Sequence, residues 1–278
     1  MRRPRKARDV GAMPPLPTGL IERLSATLGN EAPALLAALD RPPSTSIRLN
    51  RLKPGGPTGE PVPWCTTGRY LDERPLFTVD PLLHAGAYYV QEAGSMLIER
   101  AMAAAGLIGA DALALDLCAA PGGKSTHLLS LLGPGAVVVC NELDGRRQAV
   151  LQENVWKWGS PNACVTRLPA EAFGTLPHFD LVLLDAPCSG EGLMRREPVA
   201  RAQWSLELVR QCSAVQAGLL HHAWGALRPG GVLIYSTCTW ADEEDEGQLH
   251  RFLQQHEAEV LTIDPLDSGP VRGELGLT

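Results

Sequence analysis

Beyond residue 112 the chain repeats one pattern. A short, continuously apolar run is followed by a helix-length amphipathic stretch. The runs are Leu113-Ala-Leu-Asp-Leu117, Ala136-Val-Val-Val-Cys140, Ala163–Thr166, Phe179–Leu184 and Gly231-Val-Leu-Ile-Tyr235. The helical stretches are Gly123–Leu132, Gly145–Trp158, Trp204–Leu227 and Asp242–His256, the third stopped by Arg228-Pro-Gly-Gly231. Strands apolar on every residue are buried on both faces, and helices between them provide the cover. The pattern predicts an α/β fold with a doubly wound, mostly parallel sheet.

The first 85 residues do not follow this pattern. Leu20–Leu39 reads as one or two helices, ended by Pro42-Pro43, and Ser46-Ile-Arg-Leu-Asn50 as a short strand. Pro54–Pro63 is a Pro/Gly loop. We read 1–85 as a small N-terminal α/β accessory domain and 86–278 as the main domain, entered by a helix over Tyr88–Ala105. A length of 278 residues agrees with two such units. With 45% apolar and 20% charged residues the chain builds its own core. The net charge of −6 argues against a wholly basic nucleic-acid binder but leaves room for a local basic face. The seven cysteines contain no CxxC pair, so neither a zinc site nor a disulfide framework is expected, and free thiols fit a cytoplasmic protein. No apolar run is long enough to span a membrane, and the basic start, Met1–Arg8, lacks the apolar segment of a secretory signal.

Chemistry gathers where strands end, which is where such sheets bind ligands. The turn Asp116-Leu-Cys-Ala-Ala-Pro-Gly-Gly-Lys-Ser125 brings two glycines and a helix N-terminus to one place. The dinucleotide fingerprint is absent. Gly123-Lys-Ser125 matches the end of a phosphate loop, but Cys118 stands where that loop needs glycine, which keeps an NTPase as an alternative. A nucleoside cofactor whose carboxylate sits at the loop is the third reading. Glu142, 19 positions past Gly123 at the second strand tip, is placed to hold a ribose diol, in preference to Asp144. The fourth strand ends in Asp185-Ala-Pro-Cys188 and the fifth in Ser236-Thr-Cys238. If these strands are neighbours, Cys188 and Cys238 converge beside Asp185.

Tyr89-Val-Gln-Glu-Ala-Gly-Ser-Met96, Cys118-Ala-Ala-Pro-Gly-Gly-Lys124, Asp185-Ala-Pro-Cys-Ser-Gly190 and Ser236-Thr-Cys238, in this order, resemble the Nop/Sun family of RNA cytosine-C5 methyltransferases. Pro42-Pro-Ser-Thr-Ser-Ile-Arg-Leu-Asn50 is similar to the segment before the catalytic domain of bacterial ribosomal-RNA members. The resemblance implies a Rossmann-like class I methyltransferase fold and S-adenosylmethionine as methyl donor. It implies cofactor contacts from Cys118, Ala119, Ala120, Pro121, Gly122, Gly123, Lys124, Glu142 and Asp185. It also implies Cys238 as the attacking thiol, Cys188 as the release thiol and Asp185 on the cytosine. The expected partner is ribosomal RNA, bound by a cytoplasmic monomer.

Three departures stand out. Pro169 occupies the place of an adenine-side Asp, with Glu171 nearby as a substitute. Arg195-Arg-Glu-Pro198 replaces an Arg-Lys-Asp-Pro stretch, so Arg196 keeps the charge without the lysine geometry. Relatives continue into a further strand and often an RNA-binding domain, and an end at Thr278 is expected to mark a truncated form. Arg48, Arg51, Lys53 and the basic start are candidate phosphate contacts. A non-enzymatic RNA-binding assembly factor is the alternative outside catalysis, and retention of Asp185, Cys188 and Cys238 argues against it.

Overall fold

The computed structural model describes residues 13–175 and 178–263. The basic start and the Gly-rich stretch Asp267–Thr278 lie outside these residues. The chain opens with α1 (Thr18–Leu28) and α2 (Ala32–Leu39), then β1 (Thr45–Leu49), β2 (Glu60–Val62), β3 (Cys65–Leu71), α3 (Pro81–His84) and β4 (Tyr88–Val90). The four strands form one antiparallel sheet in the order β2-β3-β1-β4. The expected helix over Tyr88–Ala105 is therefore corrected. Its first residues are β-prone and pair with β1, Leu49 opposite Tyr88 and Ile47 opposite Val90. A tight turn at Gly94–Leu97 follows, and the helix α4 covers only Ile98–Ala104. The N-terminal sheet thus extends past residue 85.

The second sheet comprises β5 (Leu113–Asp116), β6 (Val137–Asn141), β7 (Ala163–Thr166), β8 (Phe179–Asp185) and β9 (Leu227–Ser236). Its order is β7-β6-β5-β8-β9, and every pairing is parallel. Between the strands lie α5 (Gly123–Leu131), α6 (Gly145–Trp158), α7 (Pro198–Gln203) and α8 (Leu206–Ala226), with α9 (Glu246–Leu253) after the last. Ala114, Val138, Leu181 and Leu183 face one core with Met102, Leu128 and Leu151 of α4, α5 and α6. Their neighbours Leu115, Val182 and Leu184 face the other, with Leu220, Ala223 and Phe252 of α8 and α9. Burial on both faces is why these strands show no polar alternation. Local chemistry sets the helix ends. The Asp144 carboxylate accepts from the N–H groups of Arg146 and Arg147 at the start of α6, and Gly159 ends it in a left-handed conformation. No helix among the described residues is long and apolar enough to cross a membrane.

The N-terminal part is fused to the main sheet at two places. Leu20 and Leu24 of α1 pack with Met194, Trp204 and Val209. The second place is Arg48, which is fully buried and so cannot be the phosphate contact expected of it. Its guanidinium lies 4.4 Å from the Trp158 ring centroid. It donates to Gln91 Oε1 at 2.8 Å, Thr126 Oγ1 at 2.6 Å and the Gly123 carbonyl at 3.1 Å. Burial lowers its pKa to about 10. Lys53 is half-buried and donates to the carbonyls of Ala85 and Lys157, whereas Arg51 remains on the surface. Replacing Arg48 with Ala strips donors from buried acceptors and is expected to lower the unfolding free energy in urea by about 3 kcal/mol. A loss below about 0.5 kcal/mol, the range of an ordinary surface substitution, would show that Arg48 bears no such load.

Candidate active site

The loop after β5 is shaped by its glycines and held by its carbonyls. Gly122 caps α5 with φ +108°, a conformation that suits glycine, and a Cβ there would meet Leu151 Cδ1 at 3.2 Å. Arg147 donates to the Ala120 carbonyl at 2.8 Å, and Asn154 to that of Pro121 at 2.8 Å. Cys118 is half-buried, and burial pushes its thiol up to about 12, so it has no thiolate to offer.

Two buried carboxylates flank this loop. Asp116 at the β5 tip accepts from the Ser125 hydroxyl at 2.6 Å, and its other oxygen has no hydrogen-bond partner. Burial pushes it up to about 7. Glu142, just past β6, accepts from the Asp144 N–H through Oε1 at 3.0 Å. Its Oε2 lies 3.2 Å from Arg147 Nη1, an ion pair without hydrogen-bond alignment. Asp144 is occupied in capping α6, which leaves Glu142 as the acid at this tip. These two oxygens, left without hydrogen bonds, fit a ligand that brings donors of its own.

The other half of the site is built by β8 and β9, whose register sets Asp185 opposite Ser236. Lys124 Nζ lies 2.7 Å from Asp185 Oδ1, which also accepts from the Ser236 hydroxyl at 3.0 Å. Past these tips the sulfurs of Cys188 and Cys238 stand 3.2 Å apart, Cys238 exposed and Cys188 half-buried. The two thiols share a proton. The hydrogen bond from Cys188 lowers the Cys238 pKa, with help from the Lys124 charge, and the same bond together with burial raises that of Cys188. Cys238 is accordingly the better thiolate.

Two buried acids, Glu191 and Glu244, cross-brace these loops. Glu244 accepts from the Ser189 N–H at 3.0 Å and from Gln216 at 2.8 Å. Glu191 accepts from the Trp240 N–H at 2.8 Å and the Trp204 indole at 2.9 Å. Neither they nor Arg147 were singled out from the sequence, where they read as ordinary surface charges, and Asp116 was noted only as the start of a motif. Glu171 is exposed, 3.9 Å from His222, and Arg196 is exposed. Arg195 donates to the carbonyls of Arg41 and Pro42, after α2.

Residues 109–272 match the family described as 16S rRNA methyltransferase RsmB/F. Residues 16–93 match the N-terminal domain of 16S rRNA methyltransferase RsmF. The chain is 40% identical over 248 residues to ribosomal RNA small subunit methyltransferase F of Aeromonas salmonicida strain A449, covering 83% of this chain and 52% of that protein. With the protein of the same name from Escherichia coli strain K12 it shares 40% over 229 residues, covering 76% and 47%. The chain therefore spans about half the length of these curated relatives. The crystal structure of a methyltransferase homolog protein from Pyrococcus horikoshii superposes with a TM-score of 0.76 at 28% identity, covering 92% of this chain and 85% of that one. NSun6 from Pyrococcus horikoshii, solved with SFG, shares the fold, with a TM-score of 0.76 at 20% identity over 93% of this chain and 92% of that one.

The shared proton has a measurable consequence. A lowered pKa means that the Cys238 thiolate persists below the ordinary value of 9.0 and is lost only as pH falls through the lowered one. Alkylation of Cys238 by iodoacetamide, followed by peptide mass spectrometry, is expected to show a midpoint below 9.0 that moves up in Cys188→Ala. A midpoint at or above 9.0 in the unaltered protein would contradict the shared proton.

Proposed function

Because the chain belongs to the 16S rRNA methyltransferase RsmB/F family, we propose that it is an RNA cytosine-C5 methyltransferase acting on ribosomal RNA. We further propose that S-adenosylmethionine is its methyl donor and that it works in the cytoplasm as a monomer. The observation that carries the reading is the pair of thiols 3.2 Å apart, beside a lysine-paired carboxylate, at adjacent tips of a parallel sheet.

Cofactor binding falls to the loop 118–124 and its flanking acids. The carboxylates of Asp116 and Glu142 meet the donor groups of the cofactor, Glu142 at the ribose diol, and Lys124 lends positive charge at the loop. When bound, the cofactor supplies an electrophilic methyl group on a sulfonium.

Cytosine C5 is a poor nucleophile until a group adds at C6. The Cys238 thiolate adds there, making a sulfur–carbon bond and turning C5 into an enamine carbon. The negative charge that develops toward N3 is met by the proton held between Lys124 and Asp185. Once C5 carries the methyl group, its remaining proton leaves to a base. The sulfur–carbon bond then breaks to restore the ring. Cys188, in contact with the attacking sulfur, assists this release. The target base must leave its stack to reach both thiols, so a single-stranded or flipped cytosine is the substrate form.

Cys238→Ala is expected to abolish both methyl transfer and any covalent RNA adduct. Cys188→Ala is expected to accumulate an adduct, stable on a denaturing gel, that carries methylated cytosine. An adduct in Cys238→Ala and none in Cys188→Ala would reverse the two roles. Loss of activity in both variants without an adduct would remove the support for dividing them.

Glu142→Ala is expected to weaken S-adenosylmethionine binding by about 1–3 kcal/mol in calorimetry, the range for a hydrogen bond to a charged group. Unchanged affinity would take Glu142 out of the cofactor site.

A further inference from the structure

A second cluster of chemically active groups lies apart from the thiol pair, where the N-terminal sheet meets the helix that follows the cofactor loop. Cys65 stands at the start of β3, Glu99 on α4 and His127 on α5, and one donor atom from each lies within 4.8 Å of the others. Cys65 and His127 are buried, and the Glu99 side chain is 12% exposed. His127 Nε2 is 3.2 Å from Glu99 Oε2 and 3.8 Å from Cys65 Sγ. From these distances and donor types we propose that Cys65, Glu99 and His127 bind a structural zinc ion that clamps the N-terminal sheet to α5.

The separations are those that tetrahedral zinc imposes. Bonds of about 2.3 Å to sulfur and about 2.0–2.1 Å to nitrogen or oxygen place N and O about 3.4 Å apart, and S and N about 3.6 Å apart. A mixed thiolate, imidazole and carboxylate set matches zinc rather than magnesium or calcium, which take oxygen ligands. Outer contacts already aim the carboxylate. Glu99 Oε1 accepts from the Thr66 N–H at 3.2 Å and the Thr66 hydroxyl at 2.7 Å, leaving Oε2 toward the cluster. Nδ1 of His127 has no hydrogen-bond partner, so moving the ring proton there and freeing the Nε2 lone pair sacrifices no bond at Nδ1. Zinc then replaces the Cys65 thiol proton, which passes to solvent, and three protein bonds form without any change of oxidation state. Water completes the tetrahedron. The nearby Arg48 charge opposes the cation, and two anionic ligands outweigh it. The site joins three elements that the chain brings together only on folding, so the ion would stabilise the contact between the two sheets' supporting layers.

The test uses the full chain carrying Cys188→Ser and Cys238→Ser, so that the paired thiols contribute no metal site. After exposure to zinc and dialysis, elemental analysis is expected to find about one zinc per chain, the stoichiometry of a single closed site. Cobalt in place of zinc is expected to give the visible bands of a tetrahedral ion and a near-ultraviolet thiolate charge-transfer band. Adding Cys65→Ser should remove the charge-transfer band, and adding His127→Gln should reduce retained zinc at least tenfold. If these variants fail to fold, the cobalt spectrum and the zinc-dependent rise in melting temperature of the Cys65-containing chain decide the matter. Substoichiometric zinc with a featureless cobalt spectrum would overturn the proposal and leave a hydrogen-bonded triad without metal.

Discussion

The parallel pairing of β8 with β9, Asp185 opposite Ser236, is the constraint on which the site depends. It fixes the exits of two loops separated by 50 positions in sequence and brings their sulfurs to 3.2 Å. Neither loop could hold this arrangement alone. Glu191, on the first loop, accepts the N–H of Trp240 on the second, and Glu244, on the second, accepts the N–H of Ser189 on the first. Each carboxylate thus satisfies a backbone donor of the opposite loop. Buried charges are tolerated there because each has several donors, and the reciprocal bonds keep the sulfurs from drifting apart.

The cofactor loop is held from the other side. Arg48, on the antiparallel sheet, reaches across to the first turn of α5 and fills acceptors directly behind Gly123. No carboxylate hydrogen-bonds to it among the described residues, so the guanidinium is balanced by carbonyl dipoles, a hydroxyl and the Trp158 ring. The N-terminal part is therefore a structural support of the loop as well as a neighbour of it. That is why a side chain that reads as a surface charge proves to be among the most deeply buried in the chain.

Much of this was legible in the sequence, for identifiable reasons. Runs such as Phe179–Leu184 have one stable environment, a strand covered on both faces, so the parallel sheet and its chemical edge followed from them. The convergence of Cys188 and Cys238 needed only the adjacency of the last two strands. What could not be read was set by tertiary contact. Tyr88–Val90 lies in a stretch with helical spacing, and only the open edge of β1 makes it a strand. Arg48 alternates with apolar neighbours as an exposed strand residue would, and nothing local tells that α5 covers it. Glu191 and Glu244 sit in polar stretches like any surface acid. Their burial depends on loops that meet only in the folded chain.

The central claim is that this arrangement transfers a methyl group to C5 of cytosine in ribosomal RNA. It is tested most directly by incubating the protein with isotopically methyl-labelled S-adenosylmethionine and unmodified small-subunit ribosomal RNA, then digesting the RNA to nucleosides for mass spectrometry. The account predicts label in 5-methylcytidine. Label in any other nucleoside, or none in the RNA although the cofactor binds, would contradict it.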